Sequence, residues 1–361
     1  MRARTVKPQF LAGIVIATVT AIGSQAQPSS AGCAGAEAQL KALESELDRN
    51  ELDAAQKLLS ELQDAHPDCP ALLLANARIQ AAENFLAAAT RAFSEYGERM
   101  PGDAIGMAYY AGFLFDRGQY AQADQLSEEA YQRAPDSPVT AEIRGQILAA
   151  KGESEKARDL LEQSCAKDPD NPKAHFYLGE IYNRAKRPGD AAVHFRRVVT
   201  LDSKFASAWD YLALNLERLG NEDMADAAYH NGLAVNQEGQ LHYDAFLDYN
   251  YGRFLAKRNR LADAKDHLDR AVQLVPSYRA TWYDRAKLYL QIGHYAQARD
   301  DGERALSITD QTGGILNLQV YVLLEQAYRR LGDTKAAEKY AVLTRETAPP
   351  VRKGYEAQAQ P

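Results

Sequence analysis

Apolar residues in this chain fall at helical spacing, in paired stretches of about fourteen residues. Between positions 206 and 235 the first stretch carries Trp209, Leu212 and Leu216, and the second carries Ala225, Tyr229 and Leu233. Each stretch therefore predicts an amphipathic helix with one inward stripe. Between the two members of nearly every pair stands Asn50, Asn84, Gly118, Gly152, Gly220, Asn259, Gly293 or Gly332. Glycine and asparagine tolerate the left-handed conformation that closes a helix. Lys186 holds that place in one pair, and Pro188-Gly189 is expected to supply the break there instead.

Sliding the sequence along itself exposes a second column. Five residues after each break comes an alanine: Ala55, Ala89, Ala123, Ala157, Ala191, Ala225, Ala264, Ala298 and Ala337. Six of the eight intervals are 34 residues and two are 39, so two five-residue insertions interrupt an otherwise constant period. Twelve residues past the alanine, Pro67, Pro101, Pro135, Pro169, Pro276 and Pro349 close a pair, with Ser203, Gln237 and Asp310 in the other three. A fixed period of this size marks a stacked-repeat architecture. The expected units are 36–69, 70–103, 104–137, 138–171, 172–205, 206–239, 245–278, 279–312 and 318–351, after a linker at 27–35 and before a loose tail at 352–361. The constant alanine is expected where the two helices of a pair come closest, because a larger side chain there would overpack.

The period, the aromatic followed by Leu-Gly, the mid-unit alanine and the closing proline together resemble the tetratricopeptide repeat family. His175, Leu178-Gly179, Tyr182, Ala191 and Phe195 carry the pattern in one unit, and Trp282, Tyr289, Gly293, Tyr295 and Ala298 in another. The first two units depart from it, with Glu46 and Gln80 where later units carry Leu or Tyr, which suits an end cap whose outer face meets water. The resemblance implies an all-α fold, a right-handed superhelical solenoid of about nine helix-turn-helix repeats with first helices on the concave side. It also implies a non-catalytic protein that binds partner proteins or peptide segments in that groove.

In this family the second, fifth, ninth, twelfth and thirteenth positions of a unit face the groove. In the third and fourth units these include Ile105, Ala108, Phe115, Val139, Glu142, Ala149 and Ala150, mostly apolar. The fifth and sixth units supply Lys173, Phe176, Glu180, Arg184, Asp210, Glu217 and Arg218. The last three supply Phe246, Tyr249, Arg253, Lys257, Tyr283, Lys287, Arg329 and Arg330, a basic and aromatic set. The residues expected to bind the partner are Phe176, Glu180, Asp210, Phe246, Tyr249, Arg253, Lys257, Tyr283, Lys287 and Arg329. Arginine forks and rigid aromatic rings would grip an acidic segment. The plainer reading of the same residues is helix-end charges suited to the helix dipole, with Tyr249 and Tyr283 packing between repeats.

Charge and the chain's first residues narrow the setting. The net charge is −7 and the pI about 5.6, which argues against a nucleic-acid partner, since that requires a surplus of cations. Arg2, Arg4 and Lys7 precede an apolar run from Phe10 to Ile22, and Ser24-Gln25-Ala26 follows with small residues at the cleavage positions. This is a secretory signal pattern, expected at 1–26. As a helix the run would span about 20 Å, short of the ~30 Å membrane core, so a cleaved leader is expected rather than a retained transmembrane segment. An exported chain meets oxidising conditions that permit disulfides. Cys33 precedes the first helix and Cys69 follows the second, so a hairpin brings them to one end and makes them a disulfide candidate. The alternative is a lipid on Cys33, because Ser30-Ala31-Gly32-Cys33 resembles the end of a bacterial lipobox.

Catalytic and metal-binding patterns are not found. The seven histidines make no HExxH pair and no two cysteines have metal-ligand spacing. There is no GxSxG elbow, phosphate-cradling loop or dinucleotide fingerprint. His175 stands in the aromatic packing column and Cys165 within a second helix, so both are expected in the core. No catalytic residue, metal or cofactor is therefore expected. The leading expectation is an exported adaptor or scaffold of a bacterial envelope, periplasmic or secreted. The alternatives are a lipid-anchored accessory subunit or pilotin of an assembly machine, and a glycan-binding protein or enzyme that uses some of the twenty tyrosines.

Overall fold

The computed structural model describes residues 32–49, 51–237, 244–309 and 314–347. The expected leader, most of the linker, the tail, most of the first insertion and residue 313 of the second lie outside the described residues, as does Asn50. Among the described residues the regular structure is eighteen helices in consecutive pairs. The chain divides into two compact units, one of Met1–Gln80 and Phe85–Pro101, the other of Ala81–Asn84 and Gly102–Pro361.

The first unit contains α1 (Glu37–Asp48), α2 (Leu52–Ala65), α3 (Pro70–Ala82) and α4 (Leu86–Arg99). Leu43, Leu59, Leu62, Leu72 and Ile79 form a small core. A disulfide joins Cys33 to Cys69 beside it, with Cα atoms 4.8 Å apart.

The second unit contains seven pairs. They are α5 (Ala104–Asp116) with α6 (Tyr120–Arg133), α7 (Pro138–Ala150) with α8 (Ser154–Lys167), and α9 (Pro172–Arg184) with α10 (Pro188–Leu201). Then come α11 (Ala206–Arg218) with α12 (Glu222–Val235), and α13 (Leu247–Lys257) with α14 (Leu261–Leu274). The last are α15 (Arg279–Gln291) with α16 (Tyr295–Ser307), and α17 (Asn317–Leu331) with α18 (Thr334–Thr347). Proline starts α7, α9 and α10, where its missing N–H costs nothing. Asn171 caps α9 by accepting from the N–H groups of Lys173 and Ala174 at 3.0 Å each.

Packing explains the columns in the sequence. Eight of the nine alanines have no exposed surface at all and Ala337 has 5%, because each lies where its two helices touch. Opposite, a Cβ on Gly179 would stand 2.8 Å from the Phe195 ring, and one on Gly252 2.8 Å from Leu268 Cγ. Both approaches are too close for any side chain. The turn column is left-handed throughout its described members, from Asn84 at φ 64° to Gly332 at 81°. Lys186 corrects the expectation made for it. It adopts φ 57° itself, while Pro188 simply opens α10. A non-glycine residue pays about 1–2 kcal/mol for that conformation, so the pairing geometry overrides the local preference.

The fourth residue of a unit ties down the loop before it. Trp209 and Trp282 donate their indole N–H to Ser203 and Pro276 carbonyls, both at 2.9 Å. His175 makes the same bond to the Pro169 carbonyl through Nε2 at 3.1 Å. That bond places the proton on Nε2 and leaves Nδ1 as an acceptor. The His194 Nδ1 sits 3.0 Å away and donates to it, while the Cys165 thiol approaches at 3.7 Å. Burial pushes that thiol up to about 12, so it stays protonated. His175 and Cys165 are thus partly buried and hydrogen-bonded to each other, rather than plain core residues.

Burial and the facing His175 push His194 down to about 4. The unfolded chain protonates this ring near pH ~6.5, so between there and about 4 the unfolded state binds more protons. Stability from the pair is complete above that window and falls as the pH drops through it. His194→Phe keeps the stack on Tyr182 (ring centroids 5.4 Å apart) and removes the titration. From pH 7 to pH 4.5 the wild type is expected to lose about 1–3 kcal/mol more than this variant, allowing for partial solvent screening. Thermal melts at the two pH values measure the difference, and parallel losses would show that the pair does not titrate in this way.

Candidate binding groove

Within the second unit the first helices touch in series, α5 with α7, α7 with α9, α11 with α13, α13 with α15 and α15 with α17. The link from α9 to α11 is aromatic, since Phe176 meets Tyr211 edge-on at 5.8 Å. These helices form one continuous face, and the expected binding residues distribute along it unevenly.

Phe176 is spent on packing. It stacks on Phe205 at 4.7 Å and meets Phe195 edge-on at 5.7 Å. Glu180 accepts from the Tyr211 hydroxyl at 3.2 Å and lies 3.6 Å from Arg184. Tyr249 is only 7% exposed, with its hydroxyl donating to Asp284 at 2.8 Å and its ring edge-on to Tyr278. Phe246, in contrast, is 41% exposed while also meeting Tyr278 edge-on. Tyr283 packs beside Val320 and Leu324 in the cluster of the last two pairs. Arg329 lies apart, paired with Glu325 at 2.6 Å in its own helix and lining a shallow pocket with Leu290 and Tyr295.

Asp210, Arg253, Lys257 and Lys287 gather in the middle with Tyr249. The cations there already have partners. Lys257 Nζ lies 3.1 Å and Arg253 Nη2 3.8 Å from the Glu217 carboxylate. Lys287 is exposed and faces Asp284. Asp210 is 3% exposed and its Oδ2 accepts from Asn250 Nδ2 at 2.7 Å. Burial, reinforced by Asp244 beside it, holds the Asp210 carboxyl far above the usual carboxylate range. Burial raises Asp244, Asp284, Glu180 and Asp116 as well. The face is thus lined by partly desolvated carboxylates and tyrosines, and its lysines and arginines stand at the rim.

Sequence reasoning missed Tyr177, Tyr211, Asn250 and Asp284, which occupy the sixth position of their units, next to the fifth. A helical turn carries positions five and six onto adjoining faces, so extending the groove list by one residue would have found them. Asp244 was hidden in an insertion that breaks the period.

Comparisons with known proteins agree with this geometry. A family profile described as tetratricopeptide repeat matches residues 144–204 and 249–312. No curated protein sequence matches the chain. Among solved structures, the fold is similar to the APC/C hetero-tetramer Cut9–Hcn1, with a TM-score of 0.58 and 18% identity over 81% of this chain and 56% of that one. It is also similar to a human IFIT1 dimer with PPP-AAAA, at 0.54 and 18% over 87% of this chain and 73% of the other. PilW, a type IV pilus biogenesis factor, aligns at 0.50 and 18% over 58% of this chain and 93% of its own length. The chain therefore spans little more than half of the first of these proteins, and identities this low speak for fold alone. Residues 144–204 and 249–312 thus match the tetratricopeptide repeat, and the consecutive helix pairs of the second unit have the fold of a tetratricopeptide-type α-solenoid.

Proposed function

We propose that this protein is an exported, non-catalytic adaptor that receives a segment of a partner protein on the first-helix face of its second unit. One observation carries the reading. Along that face, side chains at the groove positions vary in chemistry and several are free of the packing that consumes the repeat signature. Arg253, Lys257, Lys287 and Phe246 stand exposed there. Export is supported by the signal-like N-terminal residues and by the Cys33–Cys69 disulfide, a bond that persists in oxidising compartments. Cys33, bonded to Cys69, has no thiol left for a lipid, which favours the adaptor over the lipid-anchored reading. An acidic partner segment would compete with Glu217 for Arg253 and Lys257, so the charge of the partner is better read from the carboxylates beneath them.

Site-specific photo-crosslinking in cells tests the face. A photoreactive residue at Arg253, Lys257 or Lys287 is expected to trap a partner protein. The same residue at Val193 or Met224, exposed positions on second helices, is expected to trap none. Capture only from the second-helix positions would move function to the other side of the solenoid.

A further inference from the structure

The far end of the first-helix face differs from its middle. In the middle, Glu217 already neutralises Lys257 and Arg253. At the far end, α15 closes, α16 opens and α17 closes around a cavity of about 440 Å³, lined by Leu290, Tyr295, Gln326, Arg329 and Arg330. That is room enough for a ligand group. The lining carries two guanidinium groups and, among the described residues, no carboxylate. Gln326 stands three residues before Arg329 and four before Arg330, so one turn of α17 brings all three to the same side.

The two arginines are not equally available. Arg329 Nη2 lies 2.6 Å from Glu325 of its own helix, with 70% of the arginine side chain exposed. An exposed pair four residues apart contributes little, so an incoming carboxylate can displace it. Arg330 is exposed and ion-pairs with no carboxylate among the described residues. Its guanidinium carbon lies 5.8 Å from the centroid of the Tyr295 ring instead. Such a contact occupies the flat face of the group and leaves its N–H edge open, pre-set for a planar acceptor. Both arginines stand in the last turn of α17, where the helix dipole favours cations. The dipole accounts for their sign but supplies no partner for that edge. The Tyr328 and Arg329 carbonyls already accept from the N–H groups of Asp333 and Gly332.

We propose that this cavity receives an aspartate or glutamate side chain of the partner segment. The carboxylate takes the open edge of Arg330 and draws Arg329 from Glu325, the Gln326 amide donates to it, and its methylene stem lies against Leu290. A phosphate would fit the same guanidinium forks. The chain's net charge of −7, however, repels a nucleic-acid polyanion far more than a single acidic residue.

This inference rests on the peptide-binding reading, and one experiment separates the two. The purified full chain is screened on a random-peptide array whose peptides are tethered through their C-termini, so that no terminal carboxylate is free. Arg330→Gln and Arg330→Glu are screened beside it, with Lys335→Gln as the loss of an exposed cation outside the cavity, after thermal melts confirm folding. Peptides bound by the wild type are expected to share an acidic residue. They are expected to bind Arg330→Gln about tenfold to a hundredfold more weakly, the span of a charge-assisted hydrogen bond, and Lys335→Gln as well as before. A lysine in place of the shared acid is expected to restore binding to Arg330→Glu. Binders that share no acid, or that lose as much affinity for Lys335→Gln, overturn the anion cavity and leave the peptide groove standing. An Arg330→Glu variant that keeps the wild-type preference does the same. An array on which the wild type binds nothing overturns both.

Discussion

Replacing Cys33 and Cys69 with serine is expected to cost the first compact unit about 4 kcal/mol, the loop-closure value for a cross-link of this span. The two residues are 36 apart, so the reduced chain regains the freedom of a long loop when it unfolds. The core it would have to rely on is small, a handful of leucines and Ile79 among short helices. Gly32 shows how closely the two ends are drawn together. It adopts φ 88°, and a Cβ there would stand 2.6 Å from the Asp68 carbonyl oxygen. Hydrogen exchange of the oxidised and reduced protein measures the effect. Amides of α1–α4 are expected to lose protection on reduction, and unchanged protection would mean that the hydrophobic core alone holds the unit.

That glycine also illustrates where the sequence can be read and where it cannot. Gly32-Cys33 carries two meanings in sequence, the end of a lipobox or one half of a disulfide, and only the approach of Asp68 and Cys69 distinguishes them. The fold itself was legible because packing imposes it at every unit. A larger side chain at Ala225, or any side chain at Gly252, would strike a neighbouring helix, so the columns repeat and announce the period. Lys186 was misread because its neighbours Pro188 and Gly189 offered a local explanation, whereas tertiary pairing set its backbone. The binding face was legible only in outline. Tyr249 sits at a groove position, yet Tyr278 and Asp284 take up its ring and hydroxyl. Asp210, Asp244 and Asp284 come from a helix, an insertion and a neighbouring unit, and periodicity has no means of joining them.

Arg285→Leu is expected to destabilise the protein by about 3–5 kcal/mol, even though it installs the residue that the repeat pattern favours at that position. Leu178 and Leu212 hold the equivalent place in their units. Arg285 is largely buried there, donating from Nε and Nη2 to both oxygens of Asp301 at 2.7 and 2.8 Å, and from Nη1 to Asp269 at 2.9 Å. Removing the guanidinium leaves the Asp301 side chain, 7% exposed, as an uncompensated charge between helices. The same reasoning predicts its rescue. Arg285→Leu with Asp301→Ala removes both charges and is expected to recover most of the loss, since an apolar replacement of a buried pair is often neutral. Urea melts of the two single variants and the double variant form a cycle that isolates the coupling. Simple additivity would show that the pair contributes no more than its separate side chains. A large coupling would explain why an arginine persists in a leucine column: with Asp269 on α14 and Asp301 on α16, it locks α15 to the helices on both sides. Arg144 repeats the device earlier in the unit, bridging Asp124 and Glu128 of α6 at 2.6 Å each from α7. These charged seams fix one register between neighbouring repeats, which an uninterrupted leucine column would leave free to slip.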